Sequence, residues 1–171
     1  MRVEGTEHIP ARGPLLVAAN HVSWIDPPLV SMAVYSVRFP QFMAKEELFR
    51  VPLLGFFLDG IACIPLDRSK GDVGAIRRAL EVLASGGCVG VFPEGTRSRD
   101  GKPRRPKAGV GLLARTSGAP VVPARVWNTD KFLARPLRVR FGPPLRFDGG
   151  EDRSACQAFA ERVMESIFAL Q

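Results

Sequence analysis

The sequence predicts an α/β fold with a mixed, partly parallel sheet flanked by helices. Short apolar runs of strand length alternate with stretches in which apolar residues recur at helical spacing. Such alternation is typical of folds in which helices connect the strands of one sheet. Hydrophobic residues make up 46% of the 171 positions, which is enough for one core, so we expect a single domain over residues 1–171.

The predicted elements follow one another along the chain. Strands are predicted at residues 15–20, 61–66, 88–93, 120–127 and 137–142. A first helix is predicted to begin at Asp26-Pro27-Pro28, with the aspartate as N-cap. A second covers residues 72–85 and stops at two glycines. The last begins near residue 152 and has an apolar stripe made of Phe159, Val163, Ile167 and Leu170.

Composition limits the classes of partner and compartment. Lys and Arg outnumber Asp and Glu by 24 to 17, and the net charge of +7 favours phosphates, anionic lipid surfaces or nucleic acid. The three cysteines are far apart and have no metal-ligand spacing, so neither a disulfide framework nor a zinc site is predicted. The N-terminus has no secretory signal, and the longest apolar stretch is interrupted and too short to span a bilayer. We therefore expect a cytoplasmic protein.

His21 and Asp26 follow the first predicted strand in the stretch NHVSWIDPP. On one helix, five positions of separation would place the two side chains about 140° apart around the axis. A turn can instead bring the carboxylate to one imidazole nitrogen and leave the other exposed, as a general base requires. The alternative is that Asp26 only caps the helix and His21 is an ordinary turn residue.

A second polar cluster, Glu94 to Arg97, follows the strand predicted at residues 88–93. Ligands of α/β sheets bind at such strand ends, and the planar guanidinium of Arg97 suits a phosphate. Gly95 permits a sharp turn there. The alternative is that Arg97 is a solvated surface charge and Glu94 a turn residue.

Together, the stretches NHVSWID and FPEGTRS resemble the lysophosphatidic acid acyltransferase family, within the glycerolipid acyltransferases. The first family motif is matched by Asn20, His21 and Asp26, and the third is matched in full by residues 92–98. The second corresponds to GIACIPLDR, which contains Gly60, Asp67 and Arg68, although residues 63–66 differ from the usual pattern. The fourth corresponds to Val121, Val122 and Pro123. The resemblance covers most of the chain.

The resemblance implies acyl transfer without a metal or other cofactor. The donor would be a thioester, acyl-CoA or acyl carrier protein, and the acceptor the free hydroxyl of a lysophospholipid such as 1-acyl-glycerol-3-phosphate, giving phosphatidic acid. His21 would be the general base and Asp26 would fix its tautomer. Backbone N–H groups near Gly95 would stabilise the oxyanion. Ser23 is not expected to be a nucleophile, because the sequence has no GxSxG motif.

The resemblance also implies which residues bind the acceptor. Glu94 and Thr96 would shape the pocket around the glycerol portion. The acceptor phosphate needs cations, and the candidates are Arg97, Arg68, Lys45 and Lys107. Lys45 and Lys107 have an alternative interpretation as ordinary solvated lysines.

Two features are predicted to bring the protein to an anionic membrane surface, peripherally and on the cytoplasmic face of the cell membrane. One is the apolar segment at residues 49–58, for which ordinary core is the alternative. The other is a set of basic residues, which contains Arg97, Arg99, Lys102, Arg104, Arg105 and Lys107 in one loop and Arg135, Arg138 and Arg140 after it.

Two other functions stay open at this point. One is an acyltransferase for another acceptor, such as glycerol-3-phosphate or a lyso-aminolipid. The other is an anion-binding module without catalysis. Nucleic acid is not an expected partner, because the basic loop has no aromatic residues between its cations and no nucleic-acid-binding motif is visible.

Overall fold

The described residues of the computed structural model form one sheet of seven strands with helices on both faces. The structure describes residues 1–51, 63–66, 73–98, 102–131, 133 and 135–171, without the side chains of residues 44, 45, 48 and 66. The strands are β1 (Arg2–Glu4), β2 (Leu15–Ala19), β3 (Pro40–Lys45), β4 (Ile64–Leu66), β5 (Cys88–Val91), β6 (Val121–Trp127) and β7 (Arg138–Phe141).

The strand order is β1-β7-β6-β2-β5-β3-β4, and every neighbouring pair is parallel except β6 and β7. The predicted α/β class with a mixed, partly parallel sheet is therefore confirmed, and the observed sheet is mostly parallel. The strand β2 lies in the middle of the order, hydrogen-bonded to β5 on one side and to β6 on the other.

Four helices of nine or more residues and one single helical turn are found in the described part of the chain. They are α1 (Asp26–Tyr35), the turn α2 (Glu46–Phe49), α3 (Val73–Ala84), α4 (Gly109–Ser117) and α5 (Arg153–Ala169). Asp152 caps α5, because its Oδ1 accepts the N–H of Ala155 at 2.8 Å. Three of these helices were predicted, and α4 was not.

The core lies on both faces of the sheet, and β2 contributes to each. Leu15, Val17 and Ala19 pack in the cluster that contains α1, while Leu16 and Ala18 pack in the cluster that contains α3, α4 and α5. All five residues of β2 are completely buried. A strand buried on both faces reads as a continuous apolar run, which is why the sequence predicted it.

Two features of the prediction differ from the structure. The strands β1 and β3 were not predicted, and residues 61 and 62 of the predicted 61–66 strand lie outside the described residues. The assignment of Asp26 as N-cap is wrong, because α1 begins at Asp26 and Ile25 is its N-cap without a side-chain hydrogen bond. The carboxylate of Asp26 binds other groups, described below.

Candidate active site

The two polar clusters predicted from the sequence meet at one edge of the sheet. The parallel strands β2 and β5 pair with Ala18 opposite Val91. Three residues beyond each of these positions, His21 and Glu94 therefore lie side by side at the carboxyl ends of the two strands. This is the edge at which parallel sheets bind ligands.

His21 and Asp26 form a hydrogen-bonded pair. The Nδ1 atom of His21 lies 2.9 Å from Oδ2 of Asp26, which is completely buried, and the imidazole side chain is 18% exposed. A carboxylate can only accept hydrogen bonds, so in the neutral imidazole the proton lies on Nδ1 and the lone pair on Nε2. No hydrogen bond of Nε2 is found within the described residues. The orientation that a general base requires is therefore present.

Asp26 also builds the turn that contains His21. Its Oδ2 accepts the backbone N–H of Val22 at 2.6 Å and that of Ser23 at 2.7 Å. The carboxylate therefore does not cap α1 as predicted, because it folds back onto the preceding turn. Charge-assisted bonds of this kind are short and strong.

Phe92 supports the imidazole ring of His21 from one side. The two rings are stacked, with centroids 4.2 Å apart and planes 23° apart. Phe42 of β3 packs against Phe92 in turn, at 5.4 Å between centroids. The ring of His21 is therefore fixed by a hydrogen bond at Nδ1 and by an aromatic face. This contact of Phe92 was not predicted from the sequence, although Phe92 is part of the FPEGTRS motif.

Residues of the FPEGTRS segment also hold the main chain of His21. Oε1 of Glu94 accepts the His21 N–H at 3.0 Å, and the Ser98 N–H donates to the His21 carbonyl at 2.7 Å. Glu94 is only 4% exposed and Ser98 2% exposed. Burial raises the pKa of the Glu94 carboxyl above its ordinary value, although the hydrogen bond from His21 opposes this.

Asn20 ties the same turn to the neighbouring strand β6. Its side-chain amide donates to the carbonyl of Val126 at 3.2 Å, and its Oδ1 accepts the N–H of Val126 at 2.8 Å. The buried amide of Asn20 therefore pairs with the backbone of β6 as a further strand residue would. The position of His21 is fixed from β5 on one side and from β6 on the other.

Gly95 forms a tight turn after β5, with φ at +67°. Its N–H donates to the carbonyl of Phe92 at 3.0 Å. The N–H of Gly95 is therefore engaged within the turn, and the use of N–H groups near Gly95 for the oxyanion stays a prediction. The stem of Lys107 lies against this turn, since a Cβ on Gly95 would meet Cε of Lys107 at 2.8 Å.

The other predicted binding residues differ in how the structure places them. Thr96 and Arg97 are exposed and adjoin Ser98, which contacts His21. Lys107 is exposed, and its N–H donates to the carbonyl of Pro93 at 2.9 Å. Lys45 ends β3 at the same edge of the sheet, but its side chain is not described, and Arg68 lies outside the described residues. The structure therefore brings Arg97 and Lys107 to the edge where His21 lies.

The predicted membrane features are described in part. Arg99 and residues 52–58 lie outside the described residues, and the described Phe49 is partly buried against the core. No helix in the described ranges is long and apolar enough to cross a bilayer. Within the same ranges, no group of three or more His, Cys, Asp or Glu side chains is placed to hold a metal ion.

A cavity of about 650 Å³ lies away from this edge, against α3 and the start of β3 and β4. Its lining residues include Gln41, Cys63 and Arg78, and none of the residues around His21 is among them. Among the described residues, the cavity therefore shares no lining with the His21 turn or the FPEGTRS segment.

Comparisons with known proteins relate this site to one family. The family model described as Acyltransferase matches residues 1–127. The 1-acyl-sn-glycerol-3-phosphate acyltransferase of Bacillus subtilis (strain 168) is 32% identical over 149 residues, which are 85% of this chain and 73% of that protein. The protein of the same name from Neisseria gonorrhoeae is 38% identical over 136 residues, which are 76% of this chain and 51% of that protein.

A solved structure agrees with the sequence relatives. The crystal structure of the 1-acyl-sn-glycerophosphate acyltransferase PlsC from Thermotoga maritima matches with a TM-score of 0.78 and 30% identity, over 99% of this chain and 71% of that one. The family model covers both the His21 turn and the FPEGTRS segment. On this match and on the geometry of the site, the chain belongs to the acyltransferase family.

Proposed function

We propose that the protein transfers a fatty acyl group from a thioester to the free hydroxyl of 1-acyl-glycerol-3-phosphate, giving phosphatidic acid. The observation that carries this proposal is the His21–Asp26 pair at 2.9 Å, held at a strand end by Phe92, Glu94 and Ser98. The names of the relatives from Bacillus subtilis and Neisseria gonorrhoeae support this acceptor. The donor is acyl-CoA or an acylated carrier protein.

In the proposed reaction, Nε2 of His21 accepts the proton of the acceptor hydroxyl while the oxygen attacks the thioester carbonyl carbon. A carbon–oxygen bond forms, the carbon–sulfur bond breaks, and the proton passes from His21 to the departing thiolate. Asp26 stabilises the imidazolium formed in between. General-base assistance contributes about 10²- to 10⁴-fold, and positioning and oxyanion stabilisation supply the rest.

Glu94 acts in this proposal as a positioning residue for His21, and this differs from the role that the resemblance implied. Its Oε1 holds the His21 N–H, and the carboxyl is almost completely buried. Because its contact is with the protein main chain, we assign Glu94 to the orientation of the base. Thr96 stays a candidate for contact with the glycerol portion.

Arg97 and Lys107 bind the acceptor phosphate in this proposal. Both are exposed and both adjoin the segment that contacts His21. Arg68 and Lys45 stay candidates from the sequence. The single domain, the peripheral position on the cytoplasmic face and the absence of nucleic acid among the partners stay predictions as well.

The first experiment measures release of free thiol from palmitoyl-CoA by purified protein, with and without lysophosphatidic acid in lipid vesicles. We expect release that requires the acceptor and that falls at least about 10²-fold in the His21→Ala variant. His8→Ala removes the other histidine and is the matched control. The three cysteines of the protein are buried and will add little to the signal. Release without an acceptor, or release that His21→Ala leaves unchanged, would contradict the proposal.

The same assay tests the acceptor and the donor. Glycerol-3-phosphate and a lyso-aminolipid replace lysophosphatidic acid as acceptors in parallel reactions. In a further reaction, an acylated carrier protein replaces palmitoyl-CoA as the donor. We expect Arg97→Ala to raise the KM for lysophosphatidic acid at least about tenfold, since a charge-assisted contact is lost. Arg12→Ala is the matched control, because Arg12 is exposed and lies before the start of β2, at the opposite edge. Preference for an acceptor without a phosphate would overturn the assignment.

The role of Glu94 has its own test. Glu94→Gln keeps an acceptor oxygen for the His21 N–H, whereas Glu94→Ala removes it. We expect kcat within a few-fold of wild type for the glutamine variant and a loss of at least about tenfold for the alanine variant, with little change in KM. A rise in KM with unchanged kcat in both variants would instead identify Glu94 as a contact to the acceptor.

A further inference from the structure

An apolar surface runs along α1, from the turn that contains His21 towards the opposite edge of the sheet. Trp24, Met32, Tyr35 and Phe39 are exposed by 68%, 66%, 68% and 42%, and they are four of the eight large apolar side chains that are exposed in the described residues. Met32 and Tyr35 are three positions apart and share one side of α1, and the rings of Tyr35 and Phe39 meet edge to face at 6.0 Å. We call these four residues the α1 face.

The α1 face has no charge of its own. The eleven residues from Pro27 to Val37 include no charged side chain. Asp26 is completely buried and paired with His21, and the guanidinium of Arg38 donates to the carbonyls of Pro10, Gly13 and Gly86. The opposite side of α1 already supplies core residues such as Leu29 and Val30. A helix that is apolar on all sides is normally covered on all sides.

Exposed cations lie at the same edge of the sheet as His21. Arg97, Arg104 and Lys107 belong to the segment that contacts the His21 turn, and no ion pair of theirs is found within the described ranges. Trp24 follows His21 by three residues. Trp24 and these cations therefore share the edge at which His21 lies, and the rest of the α1 face extends from Trp24 towards the opposite edge, where Arg38 donates to the carbonyls of Gly13 and Gly86.

We infer that the α1 face enters the interfacial region of an anionic bilayer, while the cationic segment binds the headgroups beside it. Trp and Tyr are the residue types that favour this region, since their rings are apolar and their polar ends stay hydrated. The cations match the sign of anionic lipids. The inference rests on the proposed function, because a lysophospholipid acceptor resides in the bilayer and the Trp24 end of the α1 face is three residues from His21.

Vesicle flotation tests the surface without any chemistry. Wild-type protein is mixed with vesicles of phosphatidylcholine and phosphatidylglycerol, and with vesicles of phosphatidylcholine alone. We expect binding to the anionic vesicles and at least about a tenfold lower partition coefficient for the double variant Met32→Ser/Tyr35→Ser. The matched control is Val73→Ser/Leu133→Ser, which replaces apolar side chains that are 77% and 91% exposed elsewhere. Equal binding of the double variant and wild type would overturn the inference.

The fluorescence of Trp24 tests the same contact in the unmodified protein, so that the result does not depend on the folding of a variant. We expect a blue shift on anionic vesicles and quenching by lipids brominated on their acyl chains, both lost in Trp24→Phe. The other tryptophan, Trp127, lies between the guanidinium groups of Arg125 and Arg138 and is not expected to respond. Absence of quenching at Trp24 would overturn the inference, as would a dimer that forms without lipid and that the double variant abolishes.

Activity separates failure of this inference from failure of the proposed function. A short-chain lysophosphatidic acid that stays monomeric in solution reports the chemistry alone. We expect the ratio of activity on the vesicle acceptor to activity on the monomeric acceptor to fall in the double variant. Lipid contact by Trp24 without thiol release in the presence of any acceptor would contradict the proposed function and still support the membrane contact of the α1 face. Thiol release without lipid contact by Trp24 would contradict the inference about the α1 face and leave the proposed function in place.

Discussion

At the scale of single residues, one carboxylate oxygen organises the turn that contains His21, the proposed base. Oδ2 of Asp26 accepts hydrogen bonds from the imidazole of His21 and from the N–H groups of Val22 and Ser23. The turn and the orientation of the base therefore depend on the same atom. The sequence predicted the pairing of His21 with Asp26, because a turn can bring together two side chains that would lie about 140° apart on one helix.

We expect Asp26→Asn to lower kcat by about 10²- to 10⁴-fold, because an amide can hold His21 in the wrong tautomer and cannot stabilise the imidazolium. Thiol release at saturating acceptor measures this. Asp130→Asn, at an exposed aspartate, is the control. A variant within a few-fold of wild type would mean that Asp26 serves only the turn.

Glu94 gives a prediction about pH. Burial raises the pKa of its carboxyl above 4.5, so its protonated form is favoured by the fold. Its contribution to stability is complete below pH 4.5 and is lost as the pH rises through the raised pKa. The glutamine of the Glu94→Gln variant cannot ionise. As the pH rises from 4.5 through the raised pKa, the free energy of unfolding of this variant should therefore increase relative to that of wild type. Urea denaturation at a series of pH values measures the difference.

Asp148 provides a control of opposite sign. The hydrogen bond from Arg162 holds the pKa of its carboxyl below 3.8, so its contribution is present above pH 3.8 and is lost as the pH falls. Asp148→Asn should therefore lose stability relative to wild type as the pH rises from acid. If Glu94→Gln followed the trend of Asp148→Asn, the burial argument would be contradicted.

At the scale of elements, the sequence predicted best those segments whose own pattern determines their structure. The strands β2, β5 and β6 are apolar runs buried in the core, and α5 has both a cap and an apolar stripe. The strand β1 has three residues, two of them charged, and is held through ion pairs of Glu4 with Arg138 and Arg140. Such a strand has no local signal, because its partner lies more than 130 positions away.

The helix α4 was not predicted because its glycines disfavour a helix. Packing explains one of them, since a Cβ on Gly111 would lie 2.1 Å from the carbonyl oxygen of Cys156 in α5. We expect Gly111→Ala to lower the free energy of unfolding by about 1–3 kcal/mol, because overpacking exceeds the gain in helix propensity. Gly109→Ala is the matched control, as its nearest atom would be 4.0 Å away, and it should be neutral or slightly stabilising. Equal effects of the two substitutions in urea denaturation would contradict this.

At the scale of the whole molecule, the sequence predicted the class of fold but not the strand order. The contact between Glu94 and the main chain of His21 exists because β5 pairs with β2 in one particular register. The sequence therefore predicted that the His21 turn and the FPEGTRS segment each follow a strand. The hydrogen bonds between these two segments depend on strand pairing between residues about 70 positions apart, which the sequence does not show.

The net charge of +7 gives a prediction at this scale. Arg104→Ser/Arg105→Ser should weaken binding to anionic vesicles at least about tenfold, since each cation near the surface contributes about 1 kcal/mol. Binding of this variant to anionic vesicles should also depend less on salt concentration, because fewer protein charges are screened. Flotation at low and high salt measures both, with Arg146→Ser/Arg153→Ser, at two exposed arginines outside the basic loop, as the control. Binding of the wild type that does not change with salt would contradict the electrostatic contribution.

The central position of β2 has a consequence for local opening of the protein. Its amides are paired with β5 and β6, and all five of its side chains are completely buried. Segments of this kind exchange their amide hydrogens only when the whole domain unfolds. His21 comes two residues after the end of β2, so the base is attached to the part of the molecule that opens last. Heating should therefore abolish catalysis together with the cooperative unfolding transition, without an earlier, separate melting of the site.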